Sequence, residues 1–190
     1  MKRGAKILNL PNMITGSRFI LSGCLMVLLL QEQTTPLALF SCLVFTVAAV
    51  SDWVDGYFAR RYEAITVLGK LMDPLADKVL VATALIMLIP TGKLPAWVAL
   101  IILWREIIIT GLRGAASSSG IVVAASGLGK WKSTLQYIGL GILIFPLGVL
   151  PIPHLHDLGM AIMYLALLLT IWSGVDYFYK LRRLFLEDAQ

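Results

Sequence analysis

The sequence predicts an all-α integral membrane protein, in which six transmembrane helices follow an N-terminal amphipathic juxtamembrane segment and residues 1–190 form a single domain. Three observations carry this. Of the 190 residues, 58% are hydrophobic and only 14% charged, with a mean hydropathy of +0.84, whereas a soluble domain of this length needs a far more polar surface. Long apolar runs alternate with short segments rich in charge, proline or glycine. Finally, apart from Lys93 and the mid-span Lys78 and Arg105, all lysines and arginines fall at the termini or in alternate connections and their adjoining helix ends. That is positive-inside topology, with both termini cytoplasmic and Lys93 on the far side. The net charge of +5 therefore reads as membrane orientation, and no nucleic-acid partner is expected.

The lead, residues 1–12, carries Lys2, Arg3 and Lys6 and suits a helix on the cytoplasmic surface, where anionic lipid attracts each basic residue by about 1 kcal/mol. It is not read as a cleaved leader, because Gln31, Glu32 and Gln33 stand where a small-residue cleavage pattern would follow the first apolar run. The first span is expected over 14–30, with Arg18 near its cytoplasmic end. The second, 37–60, begins after Pro36. Only about 14 purely apolar residues precede Ser51, short of the ~20 needed to span. The acidic turns must complete it, which places Asp52 and Asp55 near the cytoplasmic edge.

The third span, 68–89, holds Asp73 and Asp77, and Pro74 either opens it or kinks it. The turn Pro90–Lys93 lies outside. The fourth, 96–114, carries Arg105, Glu106 and Arg113. A small, polar connection, Ala115–Gly127, leads to the fifth, 130–150. A proline-rich connection from Pro151 to Asp157 lies outside, and the sixth span, 158–179, ends in the aromatic belt Trp172–Tyr179. Cys24 and Cys42 sit in apolar runs and read as small buried hydrophobes. His154, His156 and Asp157 read as a solvated loop, with too few ligands for a structural metal site.

The chemistry is concentrated between Asp52 and Asp77. Ionisable groups in membrane helices cost roughly 2.5–3.5 kcal/mol each on the mildest scales, so a cluster of carboxylates there needs compensation, for which a divalent cation is the economical candidate. Asp52, Asp55, Gly56, Ala59 and Arg60 fall on one helical stripe, and Gly69, Asp73 and Asp77 on another. A turn around Arg61–Thr66 lets the two stripes face each other. Gly56 and Ala59 leave room for a ligand or for close helix approach. With no His or Cys in the stretch, the oxygen-only set suits Mg²⁺, Mn²⁺ or Ca²⁺ better than Zn²⁺.

A second constellation is basic. Arg105 and Arg113 share a stripe of the fourth span, Lys130 and Lys132 begin the fifth, and Arg18 enters from the first. Together they suit a phosphate monoester. The competing reading is that they are interfacial anchors, which holds best for Lys130 and Lys132. Arg105 lies deeper in its apolar run, beside Glu106, where charge is usually functional.

Written out, the acidic stretch is D-x-x-D-G-x-x-A-R, eight residues, then G-x-x-x-D-x-x-x-D. This resembles the signature of the CDP-alcohol phosphatidyltransferases, with every fixed position filled. The resemblance implies transfer of a phosphatidyl group from CDP-diacylglycerol to an alcohol, with release of CMP. It implies a pair of Mg²⁺ or Mn²⁺ ions held by Asp52, Asp55 and Asp73, with Asp77 near enough to share ligation and to accept the acceptor's proton. Asp52, Gly56, Ala59, Arg60 and Gly69 would line the CDP site.

Asn9-Leu10-Pro11-Asn12 with Arg18, the run 105–113, and Gly129-Lys130-x-Lys132-Ser133 further resemble the bacterial branch whose acceptor is sn-glycerol 3-phosphate. On that resemblance Arg18, Arg105, Arg113, Lys130 and Lys132 bind the acceptor phosphate, the chain pairs as a homodimer, and it resides in the cytoplasmic (inner) membrane. Other acceptors stay open within the family: inositol phosphate, serine, choline or phosphatidylglycerol. From another class, a divalent-cation transporter would also carry membrane carboxylates, although the far halves of these spans are apolar.

Overall fold

The apolar runs fold as six helices in the computed structural model, which describes the backbone of residues 10–62, 67–118 and 127–187 and the side chains of 15–51, 72, 75–117, 129 and 131–182. They are α1 (Leu10–Leu30), α2 (Thr35–Tyr62), α3 (Val67–Leu88), α4 (Ala96–Ser118), α5 (Gly127–Ile144) and α6 (Leu155–Glu187). No strand occurs among the described residues. The basic lead over 1–9, the link 63–66 and the connection 119–126 lie outside them.

Helix ends differ from the expected limits for local reasons. The opening of α1 at Leu10 takes in the end of the lead, because a proline such as Pro11 is tolerated in a first turn, where N–H groups have no intrahelical partner. Pro36 enters α2 on the same terms, and the Ala38 N–H donates to the Thr34 carbonyl at 2.9 Å. The end of α2 at Tyr62 keeps Arg61 helical, inside the segment expected to turn. Because α3 begins at Val67, Pro74 lies two turns in and does not open the helix. The close of α5 at Ile144, rather than 150, follows from Pro146, which lacks an N–H and disfavours a helical Phe145. Both α4 and α6 outrun their expected ends at 114 and 179.

Side chains finish several termini. The Gln33 Nε2 donates to the carbonyls of Leu28 (2.9 Å) and Gln31 (2.8 Å), which closes α1. Thr91 Oγ1 donates to the Leu88 carbonyl at 2.8 Å, and Gly92 takes the φ of 71° that turns the chain away. At α6, His154 at φ 59° offers its carbonyl to the Leu158 N–H at 3.0 Å, while its Nδ1 meets Asp157 Oδ2 at 2.8 Å. The His-Asp group is thus an exposed helix cap.

The chain divides into two compact units, residues 1–93 with 143–153, and 94–142 with 154–190. In the first, α1 packs on α2 and α3, and α2 on α3. In the second, α4 packs on α6, and α5 meets α6 at Gly139, where a Cβ would fall 2.8 Å from Met163 Sδ. Large apolar side chains remain exposed along the helices, among them Ile20 (75%), Ile107 (69%), Leu168 (64%) and Trp172 (69%). Continuous apolar faces of that kind call for lipid or a partner. By length and composition, Leu155–Arg182 is long and apolar enough to cross a membrane, with shorter apolar stretches at Thr15–Leu30 and Thr35–Ser51. Cys24 is exposed and Cys42 half-buried, neither in a disulfide, so Cys24 is not the buried hydrophobe expected.

Candidate active site

The acidic signature falls on two consecutive helices that pack together. Asp52 and Asp55 lie on α2, about 15 and 10 Å of helix rise before Tyr62, while Asp73 and Asp77 lie on α3, about 9 and 15 Å beyond Val67. The four are therefore set at matching distances from a short link. The side chains of Asp52, Asp55, Gly56, Ala59, Arg60, Gly69 and Asp73 lie outside the described ones. Their donor chemistry fits a hard divalent cation, since every carboxylate is an oxygen ligand. Among the described residues there is no group of three or more metal-ligating side chains.

Asp77 is in view, with 36% of its side chain exposed, and Arg18 Nη2 lies 3.5 Å from its Oδ1. Arg18 is 1% exposed and belongs to a buried stripe of α1 that runs Thr15, Arg18, Ser22, Leu25 and Leu29. Ser22 Oγ donates to the Arg18 carbonyl at 2.8 Å. The stripe is polar toward the helix start and apolar toward its end, so α1 offers polar chemistry at one end only. Arg18, expected among the acceptor-phosphate residues, stands beside the carboxylate expected to take a proton.

The basic residues of the second unit are organised by an acid. Arg105 Nη1 donates to Glu106 Oε1 at 3.0 Å, and Lys132 Nζ from α5 donates to that same oxygen. Arg105 Nη2 reaches across to Ser173 Oγ on α6 at 3.0 Å, and Ser173 donates on to the Thr170 carbonyl at 3.2 Å. Gly174 makes space for the arginine, because a Cβ there would lie 3.3 Å from Arg105 Cγ. With 3% of its side chain exposed, Lys132 is turned inward onto Glu106. Lys130's side chain lies outside the described ones.

One turn beyond Ser173, Tyr177 is packed against Ile109, Ala116 and Leu181, and the exposed Arg113 covers its ring at 5.6 Å. A cation over an aromatic face is worth about 0.5–1 kcal/mol at such a site. Tyr177 is 6% exposed, and its hydroxyl has no hydrogen-bond partner among the described residues. Sequence reading placed Tyr177 in the interfacial belt, where Trp172, Phe178 and Tyr179 are indeed exposed. It missed the bridging part of Glu106 and the contributions of Ser173 and Tyr177. The available signal was a lone carboxylate beside Arg105 in an apolar run.

The model of the CDP-alcohol phosphatidyltransferase domain matches residues 8–172. A Bacillus subtilis protein named CDP-diacylglycerol–glycerol-3-phosphate 3-phosphatidyltransferase is 38% identical over 90% of this chain and 94% of its own length. A Rickettsia bellii protein of the same name is 35% identical over 93% of this chain and 97% of its own length. A Mycobacterium tuberculosis protein named probable phosphatidylglycerophosphate synthase is 35% identical over 91% of this chain and 81% of its own length. On this evidence the chain belongs to the CDP-alcohol phosphatidyltransferase family.

Proposed function

We propose that the chain is the enzyme that transfers the phosphatidyl group of CDP-diacylglycerol to sn-glycerol 3-phosphate, giving phosphatidylglycerophosphate and CMP. What carries the reading is that relatives matched over 90–93% of the chain bear this activity in their names. In the reaction a new bond forms between the acceptor hydroxyl oxygen and the phosphatidyl phosphorus. The bond from that phosphorus to the CMP oxygen breaks, and the hydroxyl proton leaves to a base.

Asp52, Asp55 and Asp73, with Asp77 at the edge, would hold two Mg²⁺ or Mn²⁺ ions, which when bound neutralise pyrophosphate charge and polarise the phosphorus. Asp77 accepts the acceptor's proton, and Arg18 holds its carboxylate in place. Gly56, Ala59, Arg60 and Gly69 admit and orient the CDP moiety along the acidic stripes. Arg105, Arg113, Lys130 and Lys132 bind the acceptor phosphate through charge-assisted hydrogen bonds, the geometry at which guanidinium groups excel. The burial of Arg105 and Lys132 in an apolar helix cluster supports this over an anchoring role.

The exposed apolar helix faces support insertion of the helices as six spans, in a cytoplasmic membrane with both termini and the site on the cytoplasmic side. Pairing as a homodimer completes the reading. Incubating the purified protein with CDP-diacylglycerol and labelled candidate alcohols tests the acceptor. Label should enter lipid from glycerol 3-phosphate. Transfer only to inositol phosphate, serine, choline or phosphatidylglycerol would overturn this choice while leaving the family intact.

A further inference from the structure

Arg105 and Lys132 sit on different helices, α4 and α5, and both converge on Glu106 Oε1. Two cations brought together without such a partner would repel each other and would hold no fixed spacing. An anion beside a phosphate-binding pair, conversely, weakens the pair's attraction for its ligand. The carboxylate is therefore best explained as a holder of the cations. The network is anchored on a third helix, where Arg105 Nη2 meets Ser173 Oγ at 3.0 Å and Gly174 leaves space for the side chain. The Arg105 Nε–H is buried and has no hydrogen-bond partner among the described residues, so one donor of the held guanidinium is unspent.

We propose that Glu106 is a positioning residue for the acceptor: its one oxygen fixes Arg105 and Lys132 at the spacing that receives a phosphate monoester. This rests on the reading of the α4 and α5 cations as the acceptor site. Glu106 does not itself touch the substrate. Its effect is expressed through the two cations, and mainly in acceptor binding.

The test is steady-state kinetics of the full chain in mixed micelles, with glycerol 3-phosphate and CDP-diacylglycerol varied separately. Glu106→Gln should raise the acceptor KM by about tenfold or more and leave the CDP-diacylglycerol KM within about twofold. Glu106→Asp, which keeps the charge, should recover part of the loss. Lys132→Met should be costly in the parent chain and add little in the Glu106→Gln background, the non-additivity expected of groups that act together. Additive losses would overturn the proposal, as would an acceptor KM unmoved by Glu106→Gln but raised by Lys132→Met. Should Glu106→Gln fail to fold, Glu106→Asp decides. An acceptor-only shift supports positioning, whereas an unchanged acceptor KM, or equal loss of both KM values with lowered thermal stability, shows a purely structural role. If Lys132→Met and Arg105→Ala both leave the acceptor KM unchanged, the acceptor-site reading itself fails.

Discussion

Arg18 reaches from α1 to within 3.5 Å of an Asp77 carboxylate oxygen, and the arginine is 1% exposed while the aspartate is 36% exposed. A helix outside the acidic signature thus supplies a buried counter-charge to one of the signature's carboxylates, and Asp77 keeps another face open.

Replacing Arg18 should therefore act on chemistry more than on folding. Because Asp77 is over a third exposed, solvent screens it when its partner is lost. Arg18→Gln is expected to lower kcat by about tenfold or more, with only a small drop in Tm. Arg18→Lys should recover part of the rate, limited by the loss of the planar fork. Parallel turnover and thermal-unfolding measurements check this. A large Tm loss with an unchanged kcat in the surviving fraction would make Arg18 a packing residue.

Asp77→Asn keeps the side-chain shape and removes the charge and most of the basicity. If Asp77 takes the acceptor's proton, kcat should fall by about 10² or more, with CDP-diacylglycerol affinity held within a few-fold. A near-parental rate would remove Asp77 as the base. Joint loss of metal and CDP-lipid binding would make it chiefly a ligand.

Chelation should abolish activity, and Mg²⁺ or Mn²⁺ should restore it, since the signature offers only hard oxygen donors. Asp52→Asn or Asp73→Asn should each weaken Mn²⁺ binding measured directly on the protein without substrate. Full turnover in excess chelator, with no tightly held metal by elemental analysis, would dismiss the metal role.

Lys93 offers a test of orientation. It lies in the turn between α3 and α4, and partial burial lowers its pKa below the ordinary 10.5. A membrane-impermeant amine reagent applied to the outer face should label Lys93, more readily than an ordinary exposed lysine at the same pH. Labelling of Lys70 or Lys180 from that face would reverse the orientation. The unfolded state binds the extra proton between the lowered pKa and 10.5. Stability therefore rises with pH across that window, and Lys93→Met should flatten the rise.

The helices were legible in the sequence because apolar runs and their proline and glycine punctuation are local properties. Their ends were less so: Pro146 stops α5 at Ile144 although the hydrophobic run continues to Leu150. The acidic signature, too, is a matter of spacing along the chain and needed no tertiary knowledge. By contrast, the meeting of Lys132 with Glu106 depends on how α5 lies against α4. Nothing in either segment alone states that pairing. Tyr177 shows the same limit, since its neighbours Trp172, Phe178 and Tyr179 face outward and only packing against α4 sets it apart.

Helix length has a consequence for the surrounding lipid. The 18 residues of α5 rise about 27 Å and the 33 of α6 about 50 Å, against a hydrocarbon thickness of about 30 Å. Embedded as proposed, α6 has length to spare: it tilts in a thin bilayer and stands more upright in a thick one. The shorter α5 has none, and Lys132, turned inward onto Glu106, is not free to reach up to the headgroups. The bilayer must thin beside α5, at a strain that grows with acyl-chain length. Turnover in reconstituted vesicles should accordingly decline as the lipid chains lengthen, so that bilayer thickness tunes the rate at which new lipid is made.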